Sequence, residues 1–263
     1  MTSLTDSTDV MTEEDELTGL YVYAIVADEP DRVPASLVGL DGSPVELVRH
    51  GRVAAVVGRM ALDRPPGRRA DLMAHSGVLD ALDASGPVVP VQFGTVLPDR
   101  DAVVDDVLEP DVARWTALLE ALSGRRQFNL RATYNQAAVL QEVVAEHREV
   151  AELRERTRDL PEDFAHPDRI RLGELVARAV DAKREDDAAM VMELVLPYVV
   201  SYAPRHGKGI DHVLDVAFLV DDDRRGAFED ALESVAEAWH ERIRFQLVGP
   251  VPPYDFVEGD WWV

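Results

Sequence analysis

Residues 211–256 read DHVLDVAFLVDDDRRGAFEDALESVAEAWHERIRFQLVGPVPPYDF, and this stretch decides the fold. Val213-Leu214-Asp215-Val216-Ala217-Phe218-Leu219-Val220 is a near-continuous apolar run of strand length. Asp221-Asp222-Asp223 follows as an expected helix N-cap, because a short carboxylate accepts the free amide hydrogens of a first turn. Phe228, Ala231, Leu232, Val235 and Trp239 then share one helical face, with Glu229, Glu233 and Glu237 turned elsewhere. Ile243, Phe245 and Leu247 alternate with Arg244 and Gln246, which is strand periodicity. A strand–helix–strand with such short joints predicts a right-handed crossover onto one sheet. The ladder is expected to stop at Gly249-Pro250-Val251-Pro252-Pro253, because proline has no amide hydrogen to give.

Upstream of this unit, Phe128, Leu130, Ala132 and Tyr134 alternate with Asn129, Arg131 and Thr133, giving a strand with one buried face. Two long charged helices follow, over residues 136–158 and 168–196. In the second, Leu172, Leu175, Ala179, Ala182, Asp186 and Ala189 are spaced as an antiparallel helix-pair seam. Tyr198-Val199-Val200-Ser201-Tyr202-Ala203 suits either a last helical turn or a strand. The resulting order is βαββαβ, ferredoxin-like, with its first crossover enlarged into a helical hairpin.

The first half also mixes strands and helices. Tyr21-Val22-Tyr23-Ala24-Ile25-Val26-Ala27 is a strand, and residues 45–48 and 53–57 form a hairpin about His50-Gly51. A helix is expected over 69–84, with Leu72, Met73, Leu79 and Leu82 facing inward. A further strand over 88–96 has Pro90 at its start or on an edge. Residues 102–122 are helical in pattern, with a kink or two abutting helices at Glu109-Pro110. The expected class is α+β with antiparallel sheets. Residues 1–17, acidic and without a basic residue, are expected to form a disordered tail. An N-terminal mixed domain then covers 18–125, and the ferredoxin-like domain with its proline–aromatic ending covers 126–263.

The 263 residues carry a net charge of −23, which disfavours nucleic acid and anionic membranes, since neutralising phosphate requires excess Lys and Arg. With no cysteine, thiolate catalysis, disulfides, Fe–S clusters and Cys-based zinc sites are excluded. No apolar leader or membrane-length run is present, so an intracellular, cytoplasmic protein is expected. Candidates for chemistry are sparse. Asp71 and His75 are one turn apart, a spacing more typical of a surface pair than of a catalytic dyad. His147 stands near Glu142 and Glu146 without a second histidine at zincin spacing. His206-Gly207-Lys208-Gly209 lacks the spacing of a phosphate loop, Ser76 is in no nucleophile elbow, and the triple Asp has no EF-hand spacing. No cofactor, metal or catalytic residue is expected. Core packing leaves Pro252, Pro253, Tyr254, Phe256, Trp261 and Trp262 unexplained; they either pack back on their own domain or form a contact surface.

Leu20-Tyr21-Val22-Tyr23-Ala24-Ile25-Val26, the helical His75, Val89-Pro90-Val91-Gln92-Phe93-Gly94-Thr95-Val96, Ala217-Phe218-Leu219-Val220 and Gly249-Pro250-Val251-Pro252-Pro253-Tyr254-Asp255-Phe256-Val257 recur in order. In these motifs the chain resembles the gas vesicle protein GvpL/GvpF family, from about residue 20 to 258. The resemblance implies two domains, the second a modified ferredoxin fold. It also implies a non-catalytic accessory component of gas vesicles that binds the small hydrophobic shell protein and assists wall assembly, alongside other accessory proteins. Pro252, Pro253, Tyr254 and Phe256 are the expected partner contacts, in a monomer or weak oligomer. The alternatives are a minor component of the wall itself and a hydrolase using His75 or His147.

Overall fold

The computed structural model describes residues 18–62, 64–207, 209 and 211–257 and, of residues 162–165, the backbone alone. The expected acidic tail and Trp261 and Trp262 lie outside the described residues. The fold is α+β, with two antiparallel sheets. The chain divides into one unit ending at Leu119 and a second beginning at Glu120.

The first unit is built on β1 (Thr18–Ala27), an apolar strand buried along nearly its whole length. Beside it lies β3 (Val53–Ala61), hairpinned to β2 (Val45–His50) across a turn in which Gly51 takes a positive φ of 63°. On the other side of β1 the chain pairs twice, through β4 (Val89–Pro90) and β5 (Val96–Leu97). The strand expected over 88–96 is therefore interrupted. Pro90 sits on the edge as expected, and residues 92–94 turn away from β1 between Val91 and Thr95, with Thr95 N–H donating to Gln92 O at 3.2 Å.

Helix α1 (Arg69–Ala84) packs on this sheet, but not by the face the apolar pattern suggested. Asp71, His75, Val78, Leu79 and Leu82 are buried, whereas Leu72 and Met73 are exposed, Met73 at 63%. Two polar residues outcompete two hydrophobic ones because each has partners inside, described below. After α2 (Arg100–Val103) comes a π-helical stretch over Val104–Leu108 and a 3-10 turn over Glu109–Asp111, and then α3 (Val112–Leu122). The expected interruption at Pro110 is thus spread over two tightened or widened turns.

The second unit holds β6 (Arg125–Tyr134), β7 (Ser201–Pro204), β8 (His212–Asp221) and β9 (Ile243–Val251) in the order β7-β8-β6-β9. Both β8 and β9 run antiparallel to β6, so they are parallel to each other with β6 between. This is the ferredoxin-like order. Phe128 and Phe218 meet Phe228 of α7 (Arg225–Trp239) with ring centroids 5.4 and 5.6 Å apart, and Val191, Val195, Leu232 and Val235 complete the layer. The ambiguous stretch near 200 supplies both elements offered for it, a 3-10 turn at Leu196–Tyr198 and then β7.

The enlarged crossover is α4 (Gln136–Glu146), α5 (Arg148–Thr157) and the 34-residue α6 (Glu162–Val195). The single helix expected over 136–158 is broken at His147, whose backbone is extended. No Gly or Pro marks that break, so periodicity does not reveal it. The seam expected on α6 holds at Leu172, Leu175 and Ala179, against Val143 and Val150. Ala182, Asp186 and Ala189 are exposed instead, and the buried line continues through Asp187, Val191 and Val195. Steps of four advance the face by about 40° each, since a residue turns about 100°. The buried stripe thereby rotates from the hairpin to the sheet.

Asp221, Asp222 and Asp223 were expected to cap α7. Its N-cap is Arg224, without a side-chain cap bond. Asp221 and Asp222 instead pair with Arg125 and Arg126 at 3.1 and 3.3 Å. Two cations at the start of the neighbouring strand offer a stronger partner than neutral amides. The final ladder also outlasts its expected end. Val251 still faces Gln127, because a bulge places three steps of β9 against two of β6 between Val248 and Val251. Pro250 falls in that bulge on an edge strand, where its missing donor costs nothing.

Candidate functional site

The predicted contact residues follow β9. Tyr254–Phe256 forms a 3-10 turn, held by Gln127 of β6: Gln127 Nε2 donates to Asp255 Oδ2 at 2.6 Å, and Asp255 N–H donates to Gln127 Oε1 at 3.2 Å. This lays the ending on the sheet face opposite the helices. Gln127, Ala203, Ala217 and Leu219 on that face are buried. Phe256 is fully buried, Pro252 and Pro253 are buried, and Tyr254 keeps 39% of its surface exposed. Gly249 makes the approach possible. A Cβ there would lie 2.6 Å from Phe128 Cδ1 and 2.9 Å from Gln127 O, too close for any side chain.

Beside the turn, a shallow cavity of about 200 Å³ is lined by Asn129, Arg131, Arg205, Asp215, Gln246 and Val248. The buried Asp215 accepts two hydrogen bonds from Arg131, at 2.8 and 3.0 Å, and lies 3.7 Å from Arg205, which also reaches Asp255 at 3.8 Å. Two guanidiniums are thus matched by two carboxylates. Such a balanced cluster orients side chains and leaves little net charge for an anion. Asp215 was readable as a charge inside an apolar run, and Gln127 as a polar start to an amphipathic strand. Their pairing with the chain's ending was not readable, because Gln127 and Asp255 are 128 residues apart.

The residues considered for catalysis lie elsewhere and are not brought together. Asp71 and His75 are buried, not a surface pair. Asp71 accepts from Arg64 at 2.8 and 3.1 Å and from the Gly67 and Arg68 amides, both at 2.9 Å. The Arg64 hydrogen bond first, then the two amides, hold its carboxyl far below the usual range. His75 Nδ1 lies 3.0 Å from the Tyr21 hydroxyl, which accepts from Gly94 N–H at 3.1 Å. Tyr23 stacks on the imidazole at 5.8 Å and Phe93 meets it edge-on at 5.3 Å. Burial lowers the His75 pKa to about 4 and raises that of Tyr23 to about 12. The imidazole ties β1, α1 and the 91–95 turn together.

In the second unit Glu142 and Glu146, on the helix before His147, face cations. Arg242 binds Glu142 at 2.9 Å and Asp187 at 2.6 and 2.7 Å, Lys183 binds Glu142 and Glu146 at 3.2 and 2.8 Å, and Tyr134 donates to Asp187. Burial alone lowers the Arg242 pKa, but the hydrogen bonds it donates to Asp187 and Glu142 outweigh it and the net shift is upward. Burial, then Asp187, push the Tyr134 hydroxyl up. His147 and His206 are exposed, and Lys208 lies outside the described residues. Among the described residues no group of three His, Asp or Glu is placed to hold a metal ion, and no helix is long and apolar enough to cross a membrane.

Comparison with known proteins sets these features in a family. The family model described as "Gas vesicle synthesis protein GvpL/GvpF" matches residues 19–258. Gas vesicle protein F of Streptomyces sp. (strain CB03234) is 33% identical over 240 residues, covering 90% of this chain and 99% of that protein. Gas vesicle protein L of the same strain is 29% identical over 250 residues, covering 90% and 91%. The crystal structure of GvpF from Anabaena sp. PCC7120 superposes with a TM-score of 0.80 at 22% identity, over 92% of this chain and 99% of that one. By the family model over residues 19–258 and the 33% identity to gas vesicle protein F, the chain belongs to the GvpL/GvpF gas vesicle protein family.

Proposed function

We propose that this gas vesicle protein is a non-catalytic accessory factor. On this reading it binds the small hydrophobic shell protein and assists nucleation or growth of the vesicle wall. The observation that carries the reading is the pairing of a net charge of −23 with large apolar side chains left exposed, among them Val248 and Tyr254 beside the closing turn. A wall-forming hydrophobic subunit has to be kept from self-association before assembly. An apolar contact on a strongly charged carrier does this, because like charge keeps the complexes apart. The non-catalytic reading is supported by the pairing of three of the ionisable groups. Asp71 is held by Arg64, His75 by Tyr21, and Glu142 by Arg242.

Of the four predicted contacts, Tyr254 is the one whose side chain can meet a partner without local opening. Pro252, Pro253 and Phe256 would act by holding it in place. The test is retention of purified shell protein by the immobilised full chain, wild type against Tyr254→Ala. Weakened retention by a folded variant supports the contact. Equal retention removes Tyr254 from the interface, and no retention by the wild type removes the function itself.

A further inference from the structure

A second surface lies away from the closing turn, between α4, α5 and α6. Its floor is one face of α6, formed by Leu172, Gly173, Val176, Ala177, Val180 and Arg184. Leu140 of α4 and Val176 line both of its two cavities, of about 280 and 370 Å³, so the two adjoin along the same face of α6. Positions 172–184 span about 18 Å at 1.5 Å per residue, the length of about three helical turns. The groove wall is apolar yet accessible, with Leu140 37% exposed. At Gly173 a Cβ would meet nothing within 4 Å, so bare backbone faces open space one turn before Ala177.

The ends of the groove differ in charge. Asp181 and Asp211 stand at one end, beside Arg184, which is bonded to Asp181. At the other stands Arg154 of α5. The other arginines of that helix and its C-cap each hold a carboxylate: Arg148 holds Glu152, Arg156 holds Asp168 and Arg158 holds Glu155. Among the described residues Arg154 makes no ion pair, although acidic residues outnumber basic ones by 50 to 27 in the chain.

We propose that this groove seats an amphipathic helix of about three turns from the shell subunit, a length set by the 1.5 Å rise. Its apolar side chains enter the two cavities, its backbone crosses Gly173 and Ala177 closely, a carboxylate meets Arg154, and a cation meets Asp211. The proposal rests on the reading that this chain works by binding the shell protein.

The test uses the full chain and fluorescein-labelled peptides of about 18 residues, about five helical turns, tiling the shell protein. A peptide with this pattern is expected to bind. Gly173→Leu, which fills the groove, is expected to weaken it by about tenfold or more, and Arg154→Glu by severalfold with loss of salt dependence. Arg154 is exposed, so that variant separates binding from folding. If both variants retain peptide and intact shell protein as the wild type does, or if only intact shell protein binds and no peptide does, the groove proposal is overturned while the proposed function stands. If the wild type retains no shell protein, both fall. A wild-type dimer abolished by Gly173→Leu in sedimentation would assign the groove to a second copy instead.

Discussion

His75→Gln separates a structural imidazole from an idle one by pH. Burial holds the His75 pKa at about 4, against 6.5 for an unperturbed ring. Between those values the unfolded chain takes up a proton that the folded chain refuses. Stability therefore rises with pH across this window, is complete above about 6.5 and is lost progressively towards about 4. The slope approaches about 1.4 kcal/mol per pH unit, and the loss across the window sums to about 2–3 kcal/mol after allowance for partial solvent screening. Asp71 does not blur this window. Its carboxyl is held low by Arg64, so its stabilisation is present above the ordinary carboxylate range and is lost only as pH falls below about 4. Peptide-level hydrogen exchange over residues 18–27 in graded urea reads the first unit alone. Between pH 7 and 4.5 the wild type is expected to lose about 2 kcal/mol more than His75→Gln. Parallel pH curves for the two proteins would refute the account of His75 as a neutral, buried tie.

The second unit yields two sharper substitutions. Gly249→Ala drives a methyl against Phe128 and the Gln127 carbonyl, and urea unfolding should report a loss of about 1–3 kcal/mol. Arg242→Met strands the buried Asp187 without its guanidinium, at a cost of about 3–5 kcal/mol, and Asp187→Asn in that background should restore part of it.

Much of this architecture is legible in the residues because strand and helix periods differ. The alternation of Phe128, Leu130, Ala132 and Tyr134 and the face of α7 at Phe228, Leu232 and Val235 appear where their spacing places them. What escapes the pattern is set by partners far along the chain. Leu72 and Met73 are as apolar as a core face requires, yet Asp71 and His75 go inside because Arg64 and Tyr21 wait there. The triple Asp suits a cap, but two strand arginines claim part of it. The break at His147 has no breaker residue, and the bulge that carries β9 past Pro250 depends on Gly249 meeting Phe128. In the candidate site the residue types were visible at the chain's ending, whereas their anchor, Gln127, was hidden by distance in sequence.

The placement of β6 between β8 and β9 has a consequence for biosynthesis. This strand leaves the ribosome first among the four, with both flanks bare, and Arg131 meets Asp215 only 84 residues later. Its last clasp arrives with Asp255, 128 residues after Gln127. Because distant closures come slowly, the nascent chain exposes an unpaired apolar ribbon for most of the second unit's translation. Before its sheet closes, the chain thus passes through an aggregation-prone stage of its own.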